Sequence, residues 1–423
     1  MKKNIRITST DNPSQGFLQV QVVSIERLVP ISNAMIQISY KGNPESPLEE
    51  VSTNLSGQTE QVVLPTPPLS YSLSPGIEQP YSEYNLRITA PGFKPLEISG
   101  TEILPDTLAI QPAQMEADSD PLELENRIVI PDHTLYGNYP PKIAEAEIKP
   151  IGESGEIVLS RVVVPQTIVV HDGAPTDSSA VNYYVPYRDY IKNVASSEIY
   201  ATWPESTITA NVLAIMSFTL NRVYTEWYRN KGYDFTITSS TAFDHKWIHG
   251  RNIYESIAMV VDEIFDNYLS RPEVKQPILT QYCDGRQVQC SHKGWMTQWG
   301  SCSLGERGYS PIEILRHFYG SNMYINSAEQ ISGIPSSWPG FDLTVGASGS
   351  KVLQVQQQLD KIASVYTAIP RITADGFFGP ATAAAVKKFQ SVFGLPQTGV
   401  INFATWYKIS HIYVGITRIA ELV

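Results

Sequence analysis

Glutamate 198 stands in the stretch Val194-Ala-Ser-Ser-Glu-Ile-Tyr-Ala-Thr-Trp-Pro, with Ile199, Tyr200 and Trp203 close behind it. A carboxyl group set among apolar neighbours can keep its proton near neutral pH, which is what acid-catalysed cleavage of a glycosidic bond requires. Taken alone, the residue reads more simply as the end or cap of a helix turn. Tyr200 and Trp203 are also candidates to bind substrate, and further along Tyr282, Gln298 and Trp299 offer the aromatic faces and amides that suit sugar rings, with packing around a glycine-containing turn as their other reading. The tyrosines 183, 184, 187 and 190 are expected mostly in the core and at its edge.

Metal chemistry finds less support. His245 and His249 are four apart and could share a helix face, yet the glutamate of a metalloprotease motif is missing between them, so they read as polar partners. Cys283, Cys290, His292 and Cys302 offer four potential ligands at a spacing that matches no zinc pattern, and a Cys283–Cys290 disulfide stays open as an alternative. Cys302, beside Gln298-Trp-Gly-Ser, is the best thiol nucleophile for cutting peptide, without the constellation such a nucleophile needs. Neither a metal nor a cofactor is expected.

These residues sit in a chain of 423, long enough for two to four domains. With 42% hydrophobic and 17% charged residues it has ample material for packed cores. The net charge of -11 belongs wholly to the N-terminal third, where residues 1–160 hold 10 Lys+Arg against 21 Asp+Glu. That distribution, with no dense basic run, argues against a nucleic-acid partner. The start has the basic residues of an export signal but not its apolar stretch, and no apolar run is long enough to span a membrane. The chain is therefore expected to be made in a cytosol and to reach any outer compartment by another route.

The elements that must position these residues fall into four parts. Residues 1–110 alternate apolar and polar positions between turns, as in Phe17-Leu-Gln-Val-Gln-Val-Val and Ala34-Met-Ile-Gln-Ile-Ser-Tyr, the pattern of a small β-sandwich. Residues 111–166, rich in Pro and Glu, read as an acidic linker with short strands. From 167 to 335 the composition turns helical, with helices expected over Tyr187–Ala195, from Pro204, over Ile253–Leu269 after an Asn252 cap, and from Ser310, where Glu313 can close a capping box. After a break at Gly333-Ile-Pro-Ser-Ser-Trp-Pro-Gly, residues 340–415 form a compact helical module.

Several stretches resemble known families. Thr53-Asn-Leu-Ser-Gly-Gln-Thr with Ala90-Pro-Gly-Phe is similar to transthyretin-like sandwiches. Asp375-Gly-Phe-Phe-Gly-Pro-Ala-Thr-Ala-Ala-Ala-Val-Lys-Lys-Phe-Gln, followed by Phe393-Gly-Leu-Pro, resembles the all-α three-helix peptidoglycan-binding domain, in which Gly376 and Gly379 supply turns and Val386, Phe389 and Leu395 pack the core. The middle part resembles the SpoIID/LytB family in two places: the stretch around Glu198, and Gly294-Trp-Met-Thr-Gln-Trp-Gly-Ser ending in Phe318-Tyr-Gly. That resemblance implies an α+β catalytic domain that cuts glycan strands as a lytic transglycosylase, with Glu198 as catalyst. Some members of that family hold zinc through a Cys and a His, but the corresponding Thr238-Ser-Ser-Thr-Ala-Phe-Asp-His here has no cysteine.

The order of the four parts is similar to the SleC-type spore cortex-lytic enzymes. That similarity implies a multidomain zymogen located in the spore, with cortex peptidoglycan as substrate, whose N-terminal part is removed by subtilisin-like Csp germination proteases. Cleavage is expected between Leu159 and Thr167, a stretch that includes Ser160, Arg161 and Gln166. Other readings are a non-catalytic wall-binding scaffold and a peptidoglycan amidase or endopeptidase.

Overall fold

The computed structural model describes residues 14–25, 29–118, 126–149, 159–286, 290, 292–332 and 338–417. The chain start and most of the break at Gly333 lie outside them.

The alternation of the N-terminal third builds strands. Strand β1 (Ser14–Ser24) buries Leu18, Val20 and Val22 and turns Gln19 and Gln21 outward. It is followed by β2 (Met35–Tyr40), β3 (Glu49–Ser52), β4 (Val62–Thr66), a one-turn helix α1 (Ser70–Leu73), β5 (Ser82–Thr89), β6 (Leu96–Ile103), β7 (Leu108–Met115) and β8 (Asn126–Val129). Five of these strands form one sheet in the order β3-β2-β5-β6-β8. A second sheet runs β4-β1-β7, and the buried residues of both belong to one hydrophobic core. The boundary expected at residue 110 falls inside β7, because the strand runs on to Met115.

The second sheet does not end with the N-terminal unit. Its fourth strand is β13 (Ile253–Tyr254) from the middle of the chain, pairing with Ile110 and Ala109 of β7. Between β8 and β13 lie β9 (Val163–Val164), β10 (Thr167–His171), β11 (Asn182–Pro186), helix α2 (Tyr187–Glu198), helix α3 (Glu205–Tyr224) and β12 (Ile237–Thr238). The helix expected over Ile253–Leu269 is thus shorter. Ile253 and Tyr254 are recruited as a strand, α4 spans Glu255–Ile264, and Asn267–Ser270 leaves it as β14. Here tertiary pairing overrides local periodicity.

The rest of the middle region comprises β15 (Tyr282–Cys283), β16 (Met296–Thr297), α5 (Gln298–Glu306), α6 (Pro311–Tyr319), β17 (Tyr324–Ser327) and β18 (Gln330–Ile331). Helix α6 opens as expected, with the Glu313 carboxylate accepting from the Ser310 N–H at 2.8 Å. Helix α5 lies tight on α3: a Cβ on Gly305 would fall 2.0 Å from Thr207 Oγ1, so only glycine allows that approach. The C-terminal module is three helices, α7 (Ser350–Ala363), α8 (Pro380–Val392) and α9 (Phe403–Thr417), with Val386, Phe389 and Leu395 buried. It packs on the middle region, where the Arg188 guanidinium donates to the Tyr407 carbonyl at 3.0 Å and Phe265 meets Phe403 and Tyr407. Among the described residues no helix is long and apolar enough to cross a membrane.

Candidate active site

Helix α2 is the axis of the site. Asp189 in its first turn complements the helix dipole. Every residue after it is buried, and Lys192 and Arg188 share the buried carboxylate of Asp262 at 2.7 and 3.3 Å. The helix runs three residues beyond the expected Ala195. Ser196 and Ser197 are tolerated inside it because both hydroxyls are satisfied: Ser197 donates to the Asn193 carbonyl at 2.9 Å, and Ser196 accepts from the Tyr254 N–H at 3.3 Å. Ile199 then turns extended and stops the helix, which leaves Glu198 on its last turn.

The Glu198 side chain is held from several sides. Oε1 accepts the Lys246 backbone N–H at 2.8 Å, and Oε2 accepts the Gln298 amide at 3.1 Å. The same amide also donates to the Glu198 carbonyl at 2.8 Å. Gln298 reaches it from the start of α5, directly after β16, and β16 pairs in parallel with β15, which carries Tyr282. Burial first, and then the charge of Glu198, keep the Tyr282 phenol protonated, its pKa well above the ordinary value. The Tyr282 ring lies parallel to His245, 5.9 Å away, and His245 also meets Phe218 at 4.4 Å. Burial, then Lys142 and Arg222, keep His245 neutral, its Nδ1 meeting the Tyr190 hydroxyl at 3.1 Å.

Trp299, expected to contact sugar, gathers with the apolar neighbours of Glu198 in one aromatic cluster. Trp203 and Trp299 lie 5.1 Å apart, and Tyr200 stands edge-on to both. This cluster is roofed by α1 and by the segment after β8: the Trp203 indole donates to the Ser72 carbonyl at 2.9 Å, and Tyr200 packs on His133 at 4.6 Å. Tyr200, Trp203, Tyr282 and Gln298 are all buried, at 3% exposure or less.

Two readings left open by the sequence are resolved. His245 and His249 share no helix; they lie on irregular backbone, and His249 stacks on Tyr183 instead. Cys283 and Cys290 form a disulfide, which closes the loop between β15 and β16. Cys302 is free and buried, and burial followed by the nearby Glu306 pushes its thiol up to about 12, far from a reactive thiolate. Among the described residues no group of three or more His, Cys, Asp or Glu could hold a metal ion. Of the tyrosines, 187 and 190 are core and Tyr184 is open to solvent.

Residues 130–149, read in the sequence as part of a linker, lie across this site as a strap. Thr134 Oγ1 donates to the Ser197 carbonyl at 2.7 Å and sits 3.4 Å from Glu198 Oε2. Lys142 sends its ammonium inward, 4.9 Å from the Tyr282 ring and 5.3 Å from that of Phe218, and it donates to the Asp244 carbonyl. Burial lowers the Lys142 pKa, opposed by Glu198 and Asp244. Sequence reasoning missed Thr134, Lys142 and the Lys246 N–H, since no pattern marks a strap residue or a backbone donor.

The expected cleavage stretch is in part secured. Leu159 donates to the Tyr224 carbonyl at 3.0 Å, Val163–Val164 pair with Gln330–Ile331 as β9 and β18, and Thr167 opens β10. Ser160, Arg161 and Gln166 are exposed.

Residues 348–409 match the peptidoglycan binding domain family. The C-terminal module is a peptidoglycan-binding domain. Among curated proteins, a zinc D-Ala-D-Ala carboxypeptidase of Streptomyces albus G is 41% identical over 73 residues, which is 17% of this chain and 27% of that protein. An uncharacterized protein encoded in the bpoA1 3′ region of Kitasatospora aureofaciens is 49% identical over 37 residues, 9% of this chain and 31% of that one. The chain therefore spans about a quarter to a third of the curated relatives it matches. Solved structures with partial likeness include the TIE protein of Bacillus anthracis, at 14% identity over 25% of this chain and 17% of that one with a TM-score of 0.17. Another is catechol 1,2-dioxygenase of Acinetobacter, at 12% identity over 29% and 60%, with a TM-score of 0.19. Likenesses this low define no fold for the chain.

Proposed function

We propose that the chain is a lytic transglycosylase of spore cortex peptidoglycan, made as a zymogen and activated when germination proteases of the subtilisin-like Csp type cut near Ser160–Arg161. The observation that carries the reading is the setting of Glu198. A single carboxyl group stands at the end of a buried helix, oriented by the Lys246 N–H and the Gln298 amide, and the same chain bears a peptidoglycan-binding domain.

One carboxyl group suffices for this reaction. In this reaction the Glu198 carboxyl group is the proton donor to the glycosidic oxygen as the C1–O bond breaks. The resulting carboxylate then takes the proton of the sugar's own 6-hydroxyl as that oxygen bonds to C1, closing a 1,6-anhydro ring without water. Hydrolysis with inversion would need a second carboxylate to activate water.

The test is mass analysis of products released from spore cortex by the proteolysed chain, wild type beside Glu198→Gln. Anhydromuramic ends from wild type, with a loss of about 10²- to 10⁴-fold in the variant, are expected. Reducing ends would mean hydrolysis, and equal inactivity of both would leave a wall-binding protein.

A further inference from the structure

The strap is bound in the manner of a peptide ligand. From Lys142 to Lys149 its backbone runs along residues 276–282 and engages them at every second position. The Gln281 amide donates to the Ile143 carbonyl at 2.7 Å, and its oxygen accepts the Glu145 N–H at 2.9 Å. The Leu279 N–H donates to the Glu147 carbonyl at 2.9 Å, and Gln276 accepts the Lys149 N–H at 2.7 Å. Alternate backbone groups of an extended segment are thus met by two glutamine side chains and one backbone N–H, as a bound peptide's would be.

Its charged side chains are matched as closely. Glu145 takes a two-pronged bond from Arg222, at 2.6 and 3.0 Å, and also pairs with Lys149. Glu147 takes another from Arg271, at 2.6 and 2.7 Å. Paired guanidinium–carboxylate bonds of this geometry select carboxylates by shape as well as charge. Arg222 has a second carboxylate of its own region in Asp244 at 2.7 Å, whereas the other bonds of Arg271 go to the Asn322 side chain and the Tyr319 carbonyl, both neutral. The groove therefore leads from Glu198, past the Tyr282 and Phe218 faces, to a cationic end that the strap neutralises.

We infer that this groove is a subsite for an extended acidic peptide, the carboxylate-bearing stem of peptidoglycan, and that Lys142–Lys149 occupies it in the intact chain as a stand-in. The inference rests on the zymogen reading for the removal of the strap. Glu145 and Glu147 fill the places of stem carboxylates, Arg271 is the principal anion-binding residue, and Gln276, Gln281 and Leu279 read the peptide backbone.

The experiment uses the full chain carrying Glu145→Gln and Glu147→Gln, both on the strap and outside the catalytic machinery. Amide exchange at Ile143, Glu145 and Lys149 is expected to quicken at least tenfold, while β10 stays protected. Unchanged exchange would overturn the claim that carboxylates hold the strap. A fluorescent peptide with the sequence of residues 142–149 should then bind the variant and not the wild-type chain, and L-alanyl-γ-D-glutamyl-diaminopimelate should displace it. A peptide with both glutamates replaced by glutamine should bind at least tenfold more weakly, as should the wild-type peptide when Arg271→Gln is added to the variant. Failure of the stem peptide to compete, or equal binding of the neutral peptide, would overturn the inference. If the double variant does not fold, Glu147→Gln alone, at the more exposed end, is read the same way. Repeating the titration with Glu198→Gln separates the two readings: binding that persists without any turnover in the parent chain upholds the subsite and sinks only the proposed reaction.

Discussion

At the scale of single residues, the site is a set of donors converging on one carboxyl group. Gln298 spends its amide on both the carbonyl and the side chain of Glu198, so its role is to orient the carboxyl group and it has no donor left for sugar. Tyr282 differs, because its buried hydroxyl stands beside the Glu198 carboxylate, which helps to hold its pKa up. Tyr282→Phe removes that hydroxyl with little change in shape and should lower stability by no more than about 1.5 kcal/mol, the net worth of one hydrogen bond, as a urea midpoint measures. On the proposed reading the same variant shifts the pH–rate profile of cortex release, and an unchanged profile would remove Tyr282 from the chemistry. Glu102 gives a pH prediction of its own. Burial raises its carboxyl to about 7, with Arg251 at 2.7 Å opposing that rise. A carboxyl group whose folded pKa exceeds its unfolded one stabilises most at low pH and loses that contribution as pH rises. Stability of the intact chain should thus fall between about pH 4.5 and 7, by up to about 3 kcal/mol from this group, and urea midpoints at both ends of the window measure it. The double variant Glu102→Gln, Arg251→Met should flatten that part of the curve.

At the scale of elements, the strap is held by charge and by backbone together. Burial would raise the carboxyl of Glu145, but Arg222 and then Lys149 outweigh it and bring it down to about 2. A depressed carboxyl contributes stability above its unfolded pKa and loses it as pH falls toward the folded value. The strap should therefore loosen as pH falls from about 4.5 toward 2, which a fluorophore on exposed Ala144 would report as rising mobility; a signal that stays flat over that window would refute the charge-held strap. Local pattern made some of these elements legible and hid others. Helix α3 and the capped start of α6 arise from apolar spacing and from Ser310 with Glu313, because those signals are carried by neighbouring residues. Strand β13 and the strap were hidden, since Ile253–Tyr254 takes its conformation from β7 and residues 130–149 take theirs from the groove. Glu198 was legible through its surrounding stretch and not through its partners. Its Lys246 donor is a backbone group, and Thr134 lies 64 residues away.

At the scale of the whole molecule, the three structured parts touch rather than hang on tethers. Asp262 binds Arg188 and Lys192 beneath α2, and Arg188 also holds Tyr407 of the peptidoglycan-binding domain, so that domain and the candidate active site have a fixed relation. If the chain is activated by cleavage, the cut should fall at Ser160–Arg161 rather than after Val163, because Val163–Val164 are paired in a sheet. Mass analysis of chain treated with a subtilisin-like protease checks this, and a new N-terminus at Val164 would contradict it. Strand β13 then joins the strap in holding the severed piece. Breaking one peptide bond frees nothing at once, since Ile253 and Tyr254 still complete the sheet of the departing piece and Arg251 still faces Glu102 across the seam. On the proposed reading, nicking and shedding are thus separate events with separate clocks: the first sets a timer, and the rate at which strand β13 and the strap peel away together decides how long a spore waits before its wall begins to open.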